Sequence, residues 1–185
     1  MPLSRLDAHP ALLLIDLQQG IVALPTAHPT PGVVAHAAEL AAAFRRRGWP
    51  VVLVNVVGGA PGRTDPQAAR PAPGADWAQL LPELGAQAQD IRISKKTWGA
   101  FTGTGLESAL RERGVTQVVL AGIATSIGVE STARQAHELG FHVALVVDAM
   151  TDLNEQAHAN SLARIFPRLG ETCRTRDVLA LLETL

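Results

Sequence analysis

The chain has 185 residues, a formal net charge of -1, a composition 47% hydrophobic and 18% charged, and one cysteine, Cys173. So balanced a charge gives no electrostatic basis for gripping nucleic acid or an anionic membrane, and a lone cysteine excludes an intrachain disulfide. The opening MPLSRLDAHP carries Asp and Pro where a signal peptide needs an apolar core. No apolar run approaches the roughly 18 residues of a membrane span. The expectation is a soluble cytoplasmic protein, with residues 1–185 forming one domain large enough to bury roughly 70% of its unfolded surface.

In chain order, the first predicted strand is ALLLID, residues 11–16, which ends on Asp16. HAAELAAAFRRRGWPVVLVNVV then reads as a helix, a glycine and a strand. The segment 58–75, GGAPGRTDPQAARPAPGA, is rich in Gly and Pro and reads as a surface loop bordering a site. IRIS, residues 91–94, is a third strand, followed at once by Lys95 and Lys96. LESALRERGVTQVVLAGIA and STARQAHELGFHVALVVDA repeat the helix–glycine–strand grammar, and a weaker last strand follows Gly170. Gly48, Gly114 and Gly140 stand where a helix ends in a left-handed residue. The runs after them are short, rich in valine and apolar on both faces, as buried parallel strands are. The predicted fold is a three-layer α/β/α sandwich around a six-stranded, mainly parallel sheet of Rossmann-like topology.

Ligands of open α/β sheets bind beyond the carboxyl ends of the strands, where the strand order reverses. Polar groups that follow apolar runs are therefore the candidates: Asp16, Lys95 with Lys96, the Thr125–Gly128 turn, Asp148 and Asp152. Each alone has an ordinary reading as a turn, helix-cap or solvated residue. An acid and an amine at the same rim as a strand-to-helix elbow is a more specific pattern. The elbow follows the strand Val118–Ala121, and its helix opens near Gly128, so backbone N–H groups and the helix dipole face the space above it. An acyl-transfer enzyme would hold its nucleophile there. Gly128 offers no side chain, and Cys173, 45 positions further on, reads as a small buried residue of the last strand.

Four stretches carry a resemblance over nearly the whole chain: LLLIDLQQG, KKTWGAFTGTGLESAL, GIATSIGVESTARQA and GFHVALVVDAMTD. They resemble the isochorismatase-like hydrolase superfamily, also called the cysteine hydrolases. The resemblance implies a site of Asp, Lys and Cys, in which the Cys attacks an amide or related carbon. Asp16 matches the Asp, Lys95 matches the Lys by its place six residues before Phe101, and Gly128 occupies the Cys position. A cis peptide before the nucleophile is also implied, mapped here to Ala124–Thr125, as is a homodimer or higher homo-oligomer. Metal-dependent members carry a His-containing cluster after the second strand; NVVGGAPG has no His there, so neither a metal nor another cofactor is expected.

Members that cleave a vinyl ether can carry Gly at the elbow, since no covalent intermediate is needed. Asp16, flanked by Leu14, Ile15 and Leu17, would then be a general acid kept protonated by apolar surroundings. Lys95 would bind a substrate carboxylate or stabilise developing charge. Ile21, Arg63, Trp77, Trp98, Ala124 and Thr125 are the expected substrate-binding residues. A solvated Arg63, a packing Trp77, and Trp98 with Phe101 in the core are the competing readings. The function expected is metal-independent hydrolysis of a small, anionic molecule. The rivals are a catalytically silent ligand-binding protein and an amidohydrolase using water activated by Asp16. In a 3-2-1-4-5-6 sheet, Lys95 leaves a strand two places from that of Asp16, roughly 10 Å away, a gap its side chain would have to close.

Overall fold

Valine- and leucine-rich runs with no polar face form the central strands, shorter and more polar runs form the two edges, and all six strands lie parallel. In the computed structural model, which describes residues 3–65 and 74–184, they are β1 (Pro10–Ile15), β2 (Val51–Val56), β3 (Ile91–Lys95), β4 (Gln117–Ile123), β5 (His142–Thr151) and β6 (Glu171–Cys173). Their order is β3-β2-β1-β4-β5-β6, with every neighbouring pair parallel. The order reverses at β1, which lies between β2 and β4 and so opens a crevice at its carboxyl end. The helices are α1 (Gln19–Val22), α2 (Thr30–Arg46), α3 (Leu106–Arg111), α4 (Glu130–Glu138), α5 (Glu155–Asn160), α6 (Phe166–Leu169) and α7 (Thr175–Glu183). A π-helical turn, Thr125–Val129, leads into α4.

The period of two in each strand sorts the core into two layers. Leu12 and Leu14 pack with Leu40 and Phe44 of α2 and with Val178 and Leu182 of α7. Leu13 and Ile15 face the opposite side, towards Leu106 and Leu110 of α3, Ala133 of α4 and Phe166 of α6. Each fully buried Leu or Phe contributes about 1.5–3 kcal/mol, so both faces of the sheet are committed to packing and only its edges are free for chemistry. Gly48, Gly114 and Gly140 all take positive φ after their helices. The segment 58–65 is irregular, as expected of a loop, and the rest of that expected loop lies partly outside the described residues. Among the described residues no helix is long and apolar enough to cross a membrane.

Two elements depart from the pattern. Helix α2 starts at Thr30 with Pro31 in its first turn, six residues before the helix expected from residue 36, and buries Val33 and Val34 in the added turn. A proline is tolerated there because the first N–H groups of a helix have no partner to lose. Strand β5 continues past Asp148 to Thr151, and its register against β4 slips between Leu120 and Gly122. Asp148 sits in that slipped stretch, so it is not a group at the rim of a site. Its Oδ1 accepts hydrogen bonds from the backbone N (2.8 Å) and hydroxyl (3.0 Å) of Thr175 and so caps α7.

Candidate active site

Asp16 leaves β1 in the left-handed region, with φ of 52°, a conformation that Asp and Asn adopt more readily than other non-glycine residues. Its N–H donates to Val54 O (2.9 Å), and its carbonyl accepts from Gln18 N (2.9 Å). This turn aims the carboxyl into the crevice instead of along the sheet. Next to it Gly122 of β4, at φ 127°, runs so close to β1 that a Cβ would stand 2.1 Å from Ile15 O. Only glycine allows that approach.

Lys95, the last residue of β3, reaches over the end of β2. Its Nζ donates to Asp16 Oδ2 at 2.7 Å and to Thr97 O at 3.2 Å. The two-strand gap is closed by the lysine stem. Both groups are buried, with Lys95 only 2% exposed and Asp16 5%. Among the described residues Asp16 Oδ1 has no hydrogen-bond partner. Burial pushes the Asp16 carboxyl up to about 6, against the opposing pull of the Lys95 charge and its hydrogen bond. Desolvation outweighs a full ion pair here.

Gly128 closes the site from the elbow. It lies in the π-helical turn, outside the left-handed region, and a Cβ there would stand 3.1 Å from Asp16 Oδ2 and 3.0 Å from Ile15 Cγ2. Any side chain at position 128 would press on the acid. The elbow's cis peptide is Ile123–Ala124, at the end of β4, one bond earlier than the Ala124–Thr125 expected from the sequence.

Asp16, Lys95 and Gly128 share one cavity of about 250 Å³. This lies below the roughly 300–1,000 Å³ of sites for drug-sized ligands, which points to a small molecule. Ile21, Trp98 and Ala124 line it as expected, joined by Leu24, Val56 and Leu153, which the sequence did not single out. Trp98 is 65% exposed, so it stands at the mouth and not in the core. Wider grooves of about 650 and 820 Å³ lie at the opposite edge, where the strands begin. Neither holds the buried acid–amine pair, so the smaller cavity is the chemical one.

Three expected binding residues stand elsewhere. Arg63 is exposed in the 58–65 loop and does not line the cavity. Trp77 packs its ring on Gly20, where a Cβ would lie 1.8 Å from it. Thr125 is fully buried behind the elbow. Its hydroxyl donates to Thr151 O (3.0 Å), so His158 Nδ1, 2.8 Å away, must donate to it in turn. Burial, and secondly the neighbouring His28, hold His158 below its ordinary range, consistent with a neutral ring. Asp152, also considered a rim residue, accepts from Ser126 N (2.6 Å) and Asn154 N (3.1 Å) and so pins the same turn.

Two supporting residues carried no functional signal in the sequence beyond their type. The fully buried Gln18 donates to Val56 O (3.1 Å) and Trp77 O (3.0 Å) and accepts from Val56 N (2.7 Å), locking the ends of β1 and β2 together. Thr132 donates to Gly128 O (2.7 Å) and accepts from Ala100 N (3.1 Å), tying the elbow to the segment after Lys95. Among the described residues no group of three or more His, Cys, Asp or Glu is placed to hold a metal ion. Cys173 lies in β6, 4% exposed, and burial first, then the nearby Asp177, Asp148 and Glu171, push its thiol up to about 12. Iodoacetamide at pH 7.5 is expected to leave the native protein unmodified and its activity unchanged, as read by intact mass and rate. Inactivation of a still-folded protein would make Cys173 functional.

The fold and site define a parallel α/β domain whose buried Asp–Lys pair lies beneath a helix elbow. A family model described as the isochorismatase domain matches residues 10–177. The chain is 42% identical over 177 residues to the uncharacterized isochorismatase family protein YwoC of Bacillus subtilis, covering 91% of this chain and 92% of that one. It is 32% identical over 181 residues to maleamate amidohydrolase of Pseudomonas putida, covering 92% and 85%. Among solved structures, an isochorismatase family protein from Burkholderia thailandensis matches with a TM-score of 0.91 and 44% identity, covering 97% and 98%. N-carbamoylsarcosine amidase from Thermoplasma acidophilum matches with a TM-score of 0.75 and 27% identity, covering 90% and 96%. The chain belongs to the isochorismatase family of hydrolases.

Proposed function

We propose that the enzyme hydrolyses a small vinyl ether by general acid catalysis from Asp16, with Gly128 standing at the position that the cysteine hydrolases give to their nucleophile. The observation that carries this reading is the Asp16 carboxyl: it lines the cavity, is buried and raised to about 6, and its Oδ1 has no hydrogen-bond partner among the described residues. Such a group holds a proton within reach of neutral pH and has a free oxygen to deliver it. Asp16 transfers that proton to the terminal enol-ether carbon, leaving an oxocarbenium ion. Water adds to the cationic carbon and returns a proton to Asp16; the hemiketal then breaks its C–O bond to give a ketone and an alcohol. Lys95 stabilises the carboxylate that exists between the two proton transfers.

A second reading is amide hydrolysis by water that ionised Asp16 activates as a base. The maleamate amidohydrolase among the relatives favours it. The two readings require opposite protonation states. With a pKa of about 6, Asp16 is about 90% protonated at pH 5 and about 1% at pH 8. Isochorismate and a panel of small amides are to be assayed from pH 4.5 to 8.5. The acid mechanism predicts kcat/KM level below about pH 6 and falling tenfold per pH unit above it. A profile that rises to a plateau above pH 6 would replace it with the base mechanism.

A further inference from the structure

We propose that Lys96, not Lys95, is the counter-ion for a substrate carboxylate, and that the cavity selects small monoanions over neutral molecules of the same shape. The proposal rests on the 250 Å³ cavity being the substrate site, and it extends that reading to what the site recognises. Three charged residues line the cavity: Asp16, Lys95 and Lys96. The first two form an ion pair at 2.7 Å. Lys95 also donates to Thr97 O, which leaves it a single N–H, and its burial holds it beside Asp16. With Asp16 ionised, a carboxylate taking over Lys95 would have to break the ion pair and leave the Asp16 charge uncompensated, which is costly in a buried site. With Asp16 protonated, as the acid mechanism requires, Lys95 Nζ is still held between the Asp16 oxygen and Thr97 O, away from the rim.

Lys96 is in the opposite situation. It is exposed at the rim, and among the described residues it forms no ion pair and no side-chain hydrogen bond. Its stem lies along Gly58, where a Cβ would stand 3.4 Å from Lys96 Cγ, so the chain leaving β2 gives it a bare backbone to lie on. The lining charges sum to one positive with Asp16 ionised and to two with Asp16 protonated, and in both states the exposed cation is the Lys96 ammonium. The remaining wall is apolar, with Ile21, Leu24 and Trp98 suited to the body of a small organic acid. A strand-end dipeptide thus divides two tasks: Lys95 serves the acid and Lys96 serves the ligand.

The test is isothermal titration calorimetry with benzoate and its neutral isostere benzamide, on wild type, Lys96→Gln and Lys96→Arg, at 20 and 300 mM NaCl. Wild type is expected to bind benzoate about 5- to 10-fold more tightly than benzamide at low salt, a preference that shrinks at high salt because the cation is exposed. Lys96→Gln should lose that preference with benzamide affinity unchanged, and Lys96→Arg should keep it. Equal affinity of wild type for the two probes, no benzoate binding, or an undiminished preference in Lys96→Gln would overturn the proposal. Binding is read here without turnover, so a failed acid mechanism shows separately in the pH–rate profile.

Discussion

Asp16→Asn is expected to lower kcat/KM by about 10²–10⁴-fold, the usual contribution of a positioned proton donor or acceptor. Asparagine is the informative replacement for two reasons. It tolerates the left-handed backbone at φ 52°, where other side chains add strain, and it keeps an oxygen for Lys95 Nζ to donate to. What it lacks is a proton with a pKa near neutrality. The variant leaves Lys95 without a counter-charge and should be less stable by about 2–3 kcal/mol, so rates are to be compared at 25 °C on protein shown to be folded by near-UV circular dichroism. Activity within tenfold of wild type would remove Asp16 from the chemistry, whatever its position.

Lys95→Met should have its largest effect on stability, and that effect should depend on pH. The methionine fills most of the space but deletes the charge that opposes desolvation of Asp16, so the carboxyl rises further above the value of about 6 that it has beside Lys95. A folded-state pKa above the unfolded 3.8 means that the folded protein holds the proton more firmly. The associated stability is complete below pH 3.8 and is lost as pH rises through the folded pKa. Relative to wild type, the variant should therefore lose roughly 3 kcal/mol at pH 8, where a bare carboxylate is buried, and much less at pH 5, where Asp16 is neutral. Urea midpoints at the two pH values measure the difference. Equal losses at both would mean that packing of the lysine stem, and not its charge, holds the site.

The strands, their parallel sense and the glycine-terminated helices were legible because burial on both faces leaves a continuous apolar signature. The site was legible at the places where that signature stops. Asp16 is the first polar group after its run and Lys95 the first charge after IRIS, and the sheet order decides that such ends meet. Asp148 deceived for the same reason: its apolar run also stops there in the sequence, but β5 slips register and continues, so the acid caps α7. Loop residues were less tractable. Arg63 and Trp77 were chosen for what they are, and the place of Trp77 is decided by Gly20 and Gln18, contacts distant in sequence. Thr125 lay one residue from the cavity wall, but a π-helical turn placed its hydroxyl on the far side.

The reach of Lys95 across β2 has a broader meaning. Acid and cation are both anchored at strand ends, so their separation is metered by the sheet, whose strand spacing is set by the backbone hydrogen bonds between neighbours. The walls come from other sources: Ile21 from the short α1, Trp98 and Leu153 from segments after β3 and β5. Proton management and molecular recognition therefore sit on separate mechanical foundations. A lineage can rewrite the second while the first is handed down unchanged.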